Sequence, residues 1–215
     1  MVRTSPNAIG PDAIGSIRSL VPVFGLLTMV LLGQPASAAP QAEQARELIE
    51  TVGADVLEIL QDDALSDRET LDRLEDVLEG PIDLDLVARL ILGRHWRTAS
   101  EAQREQYLEL FRAYALDNVA SKLHLYEGQE FEITDAQVVS TRDAMVTTRI
   151  LGGGQPLNVS WRLRELDGGD LVAIDVVVEN VSLIVTLRSE FGSVIERQGM
   201  DGLLAELRHR IRSPA

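Results

Sequence analysis

Apolar residues recur at helical spacing early in the chain: Ala45, Leu48, Ile49, Val52, Val56, Leu57, Ile59 and Leu60, with acids on the opposite side. This pattern predicts an amphipathic helix. Ser66 followed by Glu69 is a capping box that opens a second helix through Leu71, Leu74, Val77 and Leu78, ended by Gly80-Pro81. A third, mostly apolar helix spans 82–92, with Asp83 or Asp85 near its start and Gly93 as its stop. Ser100 and Gln103 cap a long fourth helix whose stripe is Tyr107, Leu110, Phe111, Tyr114, Ala115, Val119 and Leu123. It reaches roughly Leu125.

From Glu130 the pattern changes to alternation. Residues 131–139, 144–151, 157–165 and 171–179 are four strand candidates, separated by short turn-forming stretches. In the third, Leu157, Val159, Trp161 and Leu163 face one way, and Asn158, Ser160, Arg162 and Arg164 the other. In the fourth, Val172, Ile174, Val176 and Val178 are expected on one face. Helical spacing returns at Phe191, Val194 and Ile195, stops at Gly199, and resumes around Leu203, Leu204 and Leu207. The expected fold is α+β: helices packed on one face of a twisted four-stranded antiparallel sheet.

The 215 residues divide into a removable leader and one domain. Arg3 and Arg18 precede an apolar run at 20–33, and Ala36-Ser37-Ala38 follows as a cleavage site. Residues 1–38 are therefore expected to be a secretory signal peptide cut after Ala38, leaving a single domain at 39–215 with no permanent membrane anchor. Cysteine is absent, which excludes disulfides and thiol chemistry and leaves the core alone to hold an exported domain.

Net charge is −14, and removing two Arg and one Asp with the leader makes it −15. Between residues 43 and 85, fifteen acids face three Arg, a net of −12, so the rest of the mature chain is nearly balanced at −3. Such a surface repels phosphate backbones and anionic headgroups, which argues against nucleic-acid binding. It is either a solvated helical face or a docking surface for basic partners.

Little in the sequence suggests catalysis. His95, His124 and His209 are scattered, without Cys or carboxylates at metal-ligand spacing. Ser182, Ser189 and Ser193 lack a nucleophile-elbow context. Gly152-Gly153-Gly154 sits between strands and is not followed by a helix N-terminus. Asp175 and Glu179 form only a weak acid–base pair; a structural role for Asp175, partnered by Arg162 or Arg164, is the stronger expectation. Neither an enzyme nor a cofactor is expected. What remains is apolar surface, and pattern alone leaves open a solid core or a cavity for apolar chains.

Two blocks carry a resemblance. One runs Leu-Gly-Arg-His-Trp-Arg-Thr-Ala-Ser-Glu-Ala-Gln-Arg-Glu-Gln-Tyr-Leu-Glu-Leu-Phe, from Leu92 to Phe111. The other is Val-Glu-Asn-Val-Ser-Leu-Ile-Val-Thr-Leu-Arg-Ser-Glu-Phe-Gly-Ser-Val-Ile, followed by Gly-Met-Asp-Gly-Leu. Together they resemble the MlaC family of periplasmic phospholipid-binding proteins. The resemblance implies an apolar lipid pocket between sheet and helices. Carried over to this chain, its wall is Val146, Thr148, Val159, Trp161, Val172, Ile174 and Val176, extended to Phe111, Tyr114 and Val119. It also implies a soluble periplasmic monomer that carries phospholipid. The implied partners are an outer-membrane lipoprotein complex and the substrate-capture subunit of an inner-membrane ABC transporter. A hopanoid carrier and a non-carrying periplasmic adaptor are the alternatives.

Overall fold

The computed structural model describes residues 38–121, 126–152 and 154–212. The expected leader lies outside them except for Ala38, as do His124 and the expected last turn of the fourth helix. Among the described residues six helices and five strands follow in the order α1 (Ala38–Leu60), α2 (Asp67–Leu78), α3 (Leu84–Leu92), α4 (Arg94–Thr98), α5 (Glu101–Ala120), β1 (Glu130–Val138), β2 (Asp143–Leu151), β3 (Leu157–Glu165), β4 (Leu171–Val178), β5 (Val181–Ser182) and α6 (Leu183–Arg212).

The helix starts follow their caps. Ser66 Oγ accepts from the Glu69 N–H while Glu69 accepts from the Ser66 N–H, and Ser100 with Gln103 repeats the arrangement. Asp83 accepts from the Leu86 N–H and opens α3. Each side chain satisfies one of the amide donors that a helix start leaves unpaired. Gly199 interrupts α6 at φ 72°, a left-handed backbone that glycine adopts without a Cβ clash. The last helix is therefore two segments joined at a kink.

The strands form an antiparallel meander in the order β1-β2-β3-β4-β5. Four of them match the alternating segments. The fifth has two residues and arises because Glu179 and Asn180, at φ 45° and 66°, turn the chain back so that Val181 pairs with Val178. Two bulges adjust the ladder, one at Thr134 in β1 and one at Ile174 in β4.

Packing divides into two cores. Ala88, Leu92, Tyr107, Phe111, Phe191 and Leu203 are among the buried residues of the first, built by α3, α5 and α6. The second sets Ala45 and Ile49 of α1 against Ala144, Val146 and Leu163 of the sheet. At Gly53, α1 passes so close to β1 that an added Cβ would lie 2.3 Å from the Phe131 ring.

Candidate functional site

Directly opposed residues of an antiparallel pair share a face. Val146 opposes Trp161, Thr148 opposes Val159, Trp161 opposes Val176, and Val159 opposes Val178. Five of the ten expected wall residues (Val146, Thr148, Val159, Trp161 and Val176) therefore stand together on one face. Val146, Thr148 and Val159 are buried, while Trp161 and Val176 are half-buried. The wall's polar atoms are paired within it. Trp161 Nε1 donates to Thr148 Oγ1 at 3.0 Å, and that hydroxyl donates to the Val159 carbonyl at 3.1 Å. An apolar chain against this wall would meet no unpaired donor.

The other five lie elsewhere. In β4 the strict alternation is broken: Arg162 opposes Asp175 but Leu163 opposes Ala173, so Ile174 is the extra residue of a bulge. The bulge places Val172 opposite Arg164 and hence on the reverse face, correcting the expectation that Val172, Ile174 and Val176 share one. Both Val172 and Ile174 are buried. Phe111 and Tyr114 belong to the helical core, in a ring cluster with Tyr107 and Phe191. Val119, near the end of α5, is 36% exposed.

Sequence reasoning left out the continuation of the wall. Leu157, Val178 and Val181 extend the same face and are exposed at 40%, 39% and 61%. Alternation marks Leu157 and Val178 as members of the face. Nothing local shows that they lie beyond the part α1 covers.

The polar constellations are structural. Asp175 accepts from Ser182 Oγ at 2.5 Å and from the Ile184 N–H at 3.0 Å, which fixes the start of α6. The expected arginines go to another acid: Arg162 and Arg164 both donate to Asp143, whose side chain is 3% exposed. The Arg164 hydrogen bond, helped by Arg162, holds the Asp143 carboxyl below its usual range against the opposing effect of burial. Glu179 accepts from the backbone and side chain of Asn158. Among the described residues no cluster of His, Cys, Asp or Glu is arranged to hold a metal ion, and no helix is long and apolar enough to cross a membrane.

Two open grooves accompany the wall. One, of about 740 Å³, lies between α1 and α2; another, of about 440 Å³, runs beside α3 and α5 from Asp85 to Leu116. Neither is lined by any of the ten expected residues.

The MlaC protein family matches residues 50–209. The chain belongs to the MlaC family. Its fold is also that of a phospholipid-binding protein from Ralstonia solanacearum solved in complex with a phospholipid. The two superpose with a TM-score of 0.70 at 20% identity, over 78% of this chain and 97% of that one. At that identity the likeness establishes the shared α+β architecture.

The two blocks that carry the MlaC resemblance pack on each other. Tyr107 meets Phe191 edge-on at 6.5 Å, Arg94 pairs with Glu196 at 2.6 Å, and Gln103 Nε2 donates to Asp201 at 2.8 Å. Arg188 donates to the Leu90 carbonyl at the C-terminal end of α3, where a cation is favoured. The Arg89 and Arg104 guanidinium groups each lie over the Trp96 ring, 5.4 and 5.5 Å from its centroid. In this MlaC chain the first block and the helical part of the second build the helical scaffold, while Val178 and Val181 at the start of the second continue the apolar wall.

Proposed function

We propose that the protein is a soluble periplasmic carrier that holds phospholipid acyl chains against the sheet wall and moves lipid between the two membranes. The observation that carries this reading is the division of the interior. Thr148 and Val159, which oppose each other on the wall face, are buried yet belong to neither packed core. They mark a seam between sheet and helices, where apolar chains can replace side-chain packing at low cost. Membership in the MlaC family and the architecture shared with a phospholipid-bound protein support it.

The energetics make a carrier necessary. Two acyl tails contain about 30 methylenes, and bare transfer through water costs on the order of 20–25 kcal/mol. A wall that buries both tails offsets most of this, and the same affinity forbids rapid spontaneous release. Handover therefore needs a partner that opens the seam or offers an equally apolar path. An outer-membrane lipoprotein complex and the capture subunit of an inner-membrane ABC transporter fill those roles in this reading.

The test is native mass spectrometry with lipid extraction on the full chain expressed for export to a bacterial periplasm and purified without detergent. A stoichiometric phospholipid adduct, lost in Val159→Glu and retained in Val159→Ala, is expected. A hopanoid-only adduct, in a host that makes hopanoids, would replace the cargo. A mass that stays lipid-free after incubation with liposomes would overturn the carrier and favour an adaptor.

A further inference from the structure

The acidic excess of residues 43–85 falls on α1, α2 and the segments beside them, and the α1–α2 groove opens within it. Leu57, Ile59 and Val77 give the groove apolar lining, and Asp55, Glu58 and Asp62 stand exposed at its rim. Arg73 is its one lining cation and lies 3.7 Å from Asp62. Among the described residues Asp55 and Glu58 have neither a hydrogen bond nor an ion pair. The three rim acids and one lining cation leave the groove at −2.

This combination selects its occupant. An anionic headgroup or a nucleic-acid backbone is repelled by the rim. A bare acyl chain gains from the lining and leaves the rim charges uncompensated. A helix with leucine-like residues on one side and Lys or Arg flanking them satisfies both, in the manner of an amphipathic helix laid into a groove. We propose that the α1–α2 groove docks a basic amphipathic segment of a partner protein. The inference is independent of the carrier reading, because α1 covers the sheet through Ala45 and Ile49 and lines the groove through Asp55, Leu57, Glu58 and Ile59.

The probe is a fluorescein-labelled synthetic helical peptide of about five turns, with Leu on one face and Lys and Arg on the other. It is titrated against the full exported chain and followed by anisotropy, with lipid content and sedimentation measured in parallel. The amphipathic peptide is expected to bind in a salt-dependent way. The double variant Asp55→Asn, Glu58→Gln should weaken it about tenfold, and Val77→Ser should weaken it as well. Lipid content should be unchanged in both variants, which separates this proposal from the carrier reading. Equal binding by a scrambled peptide of the same composition would overturn it, since charge alone would then suffice. So would an unchanged affinity in the double variant, a dimer of this chain that the same variants dissolve, or loss of lipid on Val77→Ser.

Discussion

The two cores of this molecule are packed differently. The helical core is aromatic and closed: Tyr107, Phe111, Tyr114 and Phe191 contact one another with ring centroids 5.8 to 6.5 Å apart, and the buried Tyr107 hydroxyl donates to the Ala88 carbonyl. Burial pushes that phenol's pKa well above its ordinary value. The buried residues of the sheet core are aliphatic, with α1 resting on Ala144, Val146 and Leu163. The wall runs on into Leu157, Val178 and Val181, which are exposed. A protein that must hold a fixed shape and also admit an apolar ligand gains from separating the two tasks. Large interlocking rings resist rearrangement. A smooth aliphatic wall with its polar atoms already paired gives up little when a neighbour is exchanged.

The largest test of that contrast is truncation in each region. Phe191→Ala, which is 1% exposed, should lower stability to urea by about 3–5 kcal/mol. Val178→Ala should change it by less than about 0.5 kcal/mol while reducing lipid occupancy. Similar losses at both positions would break the distinction between scaffold and wall.

Asp143 comes next. It is nearly buried beneath Arg162 and Arg164, and Asp143→Asn should cost about 1–3 kcal/mol near neutral pH. Its folded-state pKa is depressed. The contribution is therefore fully present above the unfolded value of about 3.9 and is lost as pH falls through the folded value. Unfolding curves of wild type and variant should begin to converge below about pH 4 and meet once the pH is below the depressed folded value, and a gap that never narrows on acidification would show that the ion pair is not its source.

The smallest expected signal is a coupling at the junction of α1 and the sheet. Gly53→Ala puts a methyl group 2.3 Å from Phe131 and should cost about 1–3 kcal/mol. Phe131→Leu should relieve part of it, and a double-mutant cycle should deviate from additivity by about 0.5 kcal/mol or more. Additive losses would mean that α1 does not press on the sheet there.

The helices and four main strands were legible because each depends on a local rule. Ser66 with Glu69 and Ser100 with Gln103 identify helix starts, since the cap and the amide it satisfies are three residues apart. Leu157 to Leu163 alternate because a pleat has a repeat of two residues. The wall was half legible. Val146, Thr148, Val159, Trp161 and Val176 came together as expected, because register carries one face across three strands. Val172 and Ile174 did not, because a single bulge shifts phase without a local mark. The arginine partners of Asp143 were assigned to Asp175 for a related reason. Both acids lie opposite the arginine-bearing strand, and only the start of α6 shows that Asp175 is already occupied by Ser182 and Ile184.

The sequence by itself determined the α+β order, the helix caps, the acidic first third and the MlaC resemblance, all of which rest on residues close in the chain or on composition. The tertiary structure alone decided that the interior is two cores, that the helical parts of the family blocks belong to the scaffold, and that the α1–α2 groove opens beneath an acidic rim. Those features depend on which distant faces meet, and the free energy of such contacts is set by three-dimensional packing that no stretch of chain encodes alone.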